Sequence, residues 1–132
     1  MPSSEGIHTH LIRVRYADTD QMGVAHHAAY VVWLEEARIA WLRNIGILYK
    51  ELEAAGTLMP VVDLRLSYRR PVRFDDELSM ETRIVIPGPT RVEFHSRISL
   101  AGNLCAEGQV TVAAVDRSGR PCRVPAVLTA RS

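Results

Sequence analysis

One long amphipathic pattern stands alone in this chain, and most of the sequence after it is strand-like. Tyr30, Leu34, Ala37, Trp41 and Ile45 recur at three- and four-residue steps, which puts them on one stripe of a helix. Glu35, Glu36, Arg43 and Asn44 fall mostly off that stripe, and Gly46 is a fitting stop. A shorter helix is expected over Leu48–Ala55, ended by Gly56. Before the long helix, Ile7–Tyr16 alternates as a strand, with Leu11, Arg13 and Arg15 opposed to Ile12, Val14 and Tyr16. Met1–Gly6 is polar and expected to fray.

After the helices the period changes to two. Val62, Leu64, Leu66 and Tyr68 alternate with Asp63, Arg65, Ser67 and Arg69, and Pro71 marks an edge, a bulge or a strand end. Leu78–Ile86 is the next alternation, closed by Pro87-Gly88-Pro89. Val92–Leu100 and Leu104–Val115 come next, joined by an Ala101-Gly102-Asn103 hairpin, and Asp116–Gly119 stops the last strand. The expected order is strand, long helix, then an uninterrupted antiparallel meander. One helix on one face of a curled sheet is an α+β arrangement. Such a sheet leaves one edge half open, so association through the sheet is expected.

The chain has 132 residues, which suits a single domain over 1–132 and a core that needs no disulfide or metal. A formal net charge of +1 argues against a dedicated nucleic-acid binder. Cys105 and Cys122 match no ligand spacing and read as two buried thiols in a reducing compartment. No apolar run approaches a membrane span, and Met1–His10 lacks the apolar region of a signal peptide, so a cytoplasmic protein is expected. His8 and His10 alternate on a strand without further ligands at convincing spacing, so no metal is assigned. There is no serine elbow and no Gly-rich phosphate loop.

Chemistry concentrates in Tyr16–Tyr30, which holds two carboxylates, a glycine, two histidines and two tyrosines. An Asp ahead of a helix start, with a glycine turn between, suits acyl transfer. The carboxylate can deliver or activate a nucleophile, and the free N–H groups of the helix start can polarise a carbonyl. Asp20 is the leading candidate, although pattern alone favours a turn or cap aspartate. Asp18, two residues earlier, shares a face with Asp20 if the segment is extended, but reads better as ordering the turn; Thr19 reads the same way. Gly23 allows a backbone conformation that a side chain would forbid and a close approach of substrate. Tyr16 fits a hydrogen bond to the Asp20 carboxylate and a core strand position equally well. Tyr30 fits an acyl pocket and helix packing equally well. His26 would point elsewhere on the helix and is assigned no role.

The pattern Tyr16-x-Asp18-Thr19-Asp20-x-x-Gly23-Val24-x-x-His27-x-x-Tyr30 resembles the signature of acyl-CoA thioesterases of the 4-hydroxybenzoyl-CoA thioesterase type, in particular the YbgC-like branch. The likeness continues through Leu34–Arg38 and Tyr68–Val72 and is faint again over Asp116–Pro121, so it covers nearly the whole chain. It implies the hot-dog fold, a curled antiparallel sheet wrapped around one long helix. It implies hydrolysis of an acyl-coenzyme A thioester to free acid and coenzyme A, with no cofactor. It reverses the balance for Asp20, which falls on the family's catalytic carboxylate as nucleophile or general base. His27 falls on the helix-start position whose backbone N–H polarises the thioester oxygen, and its imidazole is a candidate to orient water or Asp20. Tyr16 joins them as a catalytic candidate; Gly23, Val24 and Tyr30 are the substrate-binding candidates.

The resemblance further implies a homo-oligomer, a dimer or a tetramer, with its cleft near a subunit boundary. If coenzyme A binds, Arg69, Arg70 or Arg91 are the arginines placed near strand ends to meet its phosphates, and a solvated sheet edge explains them equally. The acyl group's carrier is left open between coenzyme A and acyl carrier protein. Two rivals remain: a hot-dog hydratase or dehydratase using His27 and Asp20, and a non-catalytic module that binds acyl thioesters or acyl carrier protein.

Overall fold

The computed structural model describes residues 6–130. The elements are β1 His8–Arg13, a single 3-10 turn Tyr16–Asp18, α1 His27–Asn44, α2 Tyr49–Ala54, β2 Val61–Tyr68, β3 Glu77–Gly88, β4 Arg91–Leu100, β5 Asn103–Ala113 and α3 Ala126–Thr129. Apart from Gly6, the segment expected to fray lies outside the described residues. Gly6 itself is held, because its carbonyl accepts the Trp41 indole N–H at 2.7 Å.

All five strands join one antiparallel sheet in the order β1-β3-β4-β5-β2. The expected meander is therefore interrupted: β3, β4 and β5 form it, while β2 crosses to the far edge and pairs with β5. Alternation reports which side of a strand is apolar, not which strand lies beside it. The α+β class and the sheet curled about one long helix stand.

The helix stripe is as the periodicity implies. Tyr30, Leu34, Ala37 and Trp41 are buried, joined by Trp33 and Leu42. They face Leu78 and Met80 of β3, Val92, Phe94 and Ile98 of β4 and Ala106, Val110 and Val112 of β5 in one core. The sheet lets the helix approach closely along a row of small residues. Thr82, Ser96 and Gly108 are register neighbours across β3, β4 and β5. The two hydroxyls share a buried 2.7 Å hydrogen bond, which satisfies polar groups that burial would otherwise leave unpaired.

β1 stops at Arg13, three residues short of expectation. Ile12 and Val14 are buried as the alternation requires, but the chain then turns and Tyr16 leaves the core. Cys105 is buried and Cys122 half-buried, and both are free. Among the described residues no helix is long and apolar enough to cross a membrane.

Candidate active site

The segment from Tyr16 to the start of α1 is built around Asp18. Its carboxylate accepts the Arg15 backbone N–H at 2.8 Å and the Arg15 guanidinium at 2.9 Å, and its carbonyl accepts the His26 N–H at 2.9 Å. Burial by itself would push this carboxyl up, but the Arg15 contacts outweigh it and hold the group below the usual carboxylate range. Thr19 caps the same turn, its hydroxyl donating to the Tyr16 carbonyl at 2.7 Å. Asp18 and Thr19 are thus structural, as read from the turn pattern.

Asp20 faces the other way. Asp18 ends the 3-10 turn and only Thr19 after it is extended, and the two carboxylates do not share surroundings: Asp18 is buried and Asp20 is exposed. Asp20 closes a tight loop, its N–H donating to the Val24 carbonyl and its own carbonyl accepting the Gly23 N–H, each at 2.9 Å. Oδ1 accepts the Met22 N–H at 2.8 Å. Oδ2 has no hydrogen-bond partner among the described residues. Gly23 has φ 80°, the left-handed region where a side chain is strained, so the loop requires a glycine there. Val24 pairs as an isolated bridge with Arg73.

His26, assigned no role from sequence, is the N-cap of α1. Its Nδ1 accepts the Ala29 N–H at 3.2 Å, the same donor that reaches the His26 carbonyl at 3.0 Å. The signal was readable in principle, since a polar side chain about one turn before the first apolar residue of a helical stripe is a candidate cap. His27 is the first helical residue. The N–H groups of His27 and Ala28 have no acceptor among the described residues, the ordinary condition of a helix start.

Beside that helix start lies a cleft of about 330 Å³, lined by Ala25, His27 and Tyr30 on one side and Tyr68, Arg69, Arg70 and Pro71 on the other. Distant parts of the chain meet here because the loop before α1 is tied to the segment after β2, and that segment to β5. The Ala25 N–H donates to the Val72 carbonyl at 2.8 Å, and the Arg69 and Arg70 N–H groups donate to the Cys105 carbonyl at 2.8 and 3.1 Å. Tyr30 is 3% exposed, packs edge-on against Trp33 and Tyr68, and its hydroxyl has no partner among the described residues. Burial, reinforced by Cys105 and Tyr68, pushes its phenol up to about 12, so it keeps its proton as a donor at ordinary pH.

Not every candidate gathers here. Tyr16 is neither a core tyrosine nor bonded to Asp20: it is 79% exposed and its ring meets Phe74 edge-on at 5.7 Å. Asp20 does not line the cleft within one chain; it sits at the far end of the loop that leads into it. Of the arginines, Arg69 and Arg70 line the cleft and Arg91 does not. Arg69 is paired with Glu107 at 2.9 Å, whereas Arg70 has no ion-pair partner among the described residues. Among the described residues no three His, Cys, Asp or Glu groups lie close enough to hold a metal.

A sequence model of the Thioesterase-like superfamily matches residues 14–131. The chain is 45% identical over 73 residues to YneP of Bacillus subtilis, a protein named as a candidate acyl-CoA thioesterase; the match spans 55% of this chain and 53% of that one. It is 38% identical over 106 residues to the acyl-CoA thioester hydrolase YbgC of Escherichia coli, spanning 80% of this chain and 79% of that one. A solved structure of a hypothetical protein from Thermus thermophilus superposes with a TM-score of 0.88 at 36% identity, covering 96% of this chain and 98% of the other.

Proposed function

The chain belongs to the thioesterase-like superfamily, and from that premise we propose that it hydrolyses an acyl-coenzyme A thioester to a free acid and coenzyme A. One observation carries the reading. A carboxylate oxygen without a partner, Oδ2 of Asp20, and unpartnered N–H groups at His27 and Ala28 stand at the two ends of one short loop. The first suits a base or nucleophile and the second suits a developing oxyanion.

In this reading Asp20 takes a proton from water as the oxygen adds to the carbonyl carbon, or adds itself to give an anhydride that water then opens. The carbonyl oxygen becomes negative against the helix-start N–H groups. When the carbonyl re-forms, the C–S bond breaks and the thiolate leaves, taking a proton to give the thiol. Gly23 and Val24 shape the approach to Asp20, and Tyr30 walls the acyl end. Arg70 and Arg69 suit the phosphates of the carrier, whether coenzyme A or acyl carrier protein.

The same reading includes a homo-oligomer. The free edge strand β2 exposes Val61, Val62 and Leu64, and Val31 and Val32 of α1 continue that apolar strip. Two copies pairing β2 to β2 would cover it and bring a partner surface to the cleft at the end of β2. Cytoplasmic location suits the two free thiols.

The test is thiol release from a panel of acyl-CoA esters, with the organic product identified. Turnover to free acid supports the reading. An enoyl or hydroxyacyl product with the thioester intact, or tight binding without turnover, sinks it.

A further inference from the structure

We propose that His26 is a positioning residue for the oxyanion donors: its imidazole holds the first turn of α1 so that the His27 and Ala28 N–H groups stay free at the cleft. This rests on the thioesterase reading. Three observations meet at this point. The Nδ1 of His26 accepts the Ala29 N–H at 3.2 Å, sharing with the His26 carbonyl at 3.0 Å the helix-start donor next to the free pair. Its backbone N–H is anchored on the carbonyl of buried Asp18 at 2.9 Å, so the cap is fixed to the turn that Asp18 and Arg15 hold together. The cleft beside it is also lined by Tyr30, whose hydroxyl has no partner among the described residues.

An imidazole is an unusual cap, since Asn, Asp and Ser are preferred. It differs from them in one respect. It can accept at Nδ1 only while that nitrogen is unprotonated, with the proton on Nε2. Adding a proton to Nδ1 removes the acceptor and places a cation at the positive end of the helix. The Asp18 carboxylate opposes that penalty, because it lies close enough to feel a charge on His26. Arg15, which is paired with Asp18, and Arg69 and Arg70 across the cleft act in the other direction, as does His27 when charged. Protonation at Nδ1 therefore releases the cap.

The experiment compares the full chain as wild type, His26→Ala and His26→Asn, for thiol release and for thermal melting across pH. His26→Ala is expected to lower kcat about 2- to 30-fold, the rate equivalent of a lost cap, with KM within about twofold. His26→Asn, which keeps a side-chain acceptor that does not titrate, is expected to restore kcat at neutral pH. It should also hold both kcat and melting temperature further into acid than wild type. An unchanged kcat in His26→Ala overturns the proposal, as does a loss that Asn does not restore. So do acid limbs that coincide in wild type and His26→Asn; that pair suffices if the alanine variant does not fold. If no protein in the set releases thiol from any ester, the thioesterase reading has failed on its own, and with it the catalytic role given to His26. The melting comparison then still decides whether the imidazole caps the helix.

Discussion

Leu34 of α1 sits so close over Gly108 of β5 that a Cβ on the glycine would lie 2.7 Å from its Cδ2 and 2.8 Å from its Cδ1. Leu34 is 2% exposed and has no room to retreat. Gly108→Ala should therefore destabilise the fold by about 1–3 kcal/mol through overpacking. Leu34→Ala alone should cost about 2–5 kcal/mol. The double variant should cost clearly less than the sum, because the shortened side chain vacates the space the new methyl needs. Urea midpoints of the four proteins give the coupling; simple additivity would show that the two residues do not compete for space.

Asp20 and Asp18 should respond oppositely to the same conservative change. Asp20→Asn keeps an oxygen for the Met22 N–H but loses charge and basicity, so kcat should fall on the order of 10²–10⁴-fold with little change in melting. Asp18→Asn should mainly lower stability, by about 1–3 kcal/mol, because a buried hydrogen-bonded carboxylate is removed from its Arg15 partner. The folded pKa of Asp18 is depressed. Its contribution is therefore present above the unfolded carboxyl value, roughly 3.9, and is lost as pH falls through the folded value. The stability gap between wild type and Asp18→Asn should hold at neutral pH and close in acid. Wild-type turnover by Asp20→Asn would remove Asp20 from the mechanism.

His27 can be tested without damaging the helix. It is the first helical residue, where proline is tolerated, and His26 before it has φ −79° and ψ 157°, the extended conformation proline favours in its predecessor. His27→Pro should fold yet lose one oxyanion donor, lowering kcat about 10²–10³-fold. His27→Ala keeps that donor. A moderate loss of kcat in the alanine variant, with a changed pH profile, would assign the imidazole a part of its own. Full activity in a folded His27→Pro would exclude the backbone donor.

Association should depend on the β2 edge. Wild type is expected to sediment as a dimer or tetramer. Leu64→Glu puts a charge in the exposed strip formed with Val31, Val32 and Val61, and should shift the protein toward monomer and lower activity with it. A fully active monomer at assay concentration would show that the cleft is complete in one chain.

The elements themselves were legible because their signals are local. Tyr30, Leu34, Ala37 and Trp41 announce a buried helix face, and Leu78, Met80, Thr82 and Ile84 a buried strand face, from spacing alone. The motif from Tyr16 to Tyr30 located the loop and helix start, and with them Asp20, Gly23 and His27. Tertiary structure decided what spacing cannot carry. It put β2 beyond β5 instead of beside β3, because strand partners are chosen by long-range packing. It turned Asp18 inward onto Arg15 and left Asp20 exposed, because a 3-10 turn ends at Asp18 where a continuous strand was expected. It moved Tyr16 to the surface, made His26 the cap, and carried Tyr68–Pro71 to the start of α1 through carbonyls of Cys105 and Val72. The strand order and the placing of Tyr68–Pro71 rest on contacts that exist only once the sheet has closed around the helix, whereas the Asp18–Arg15 and His26–Ala29 bonds are local ones that apolar spacing does not report.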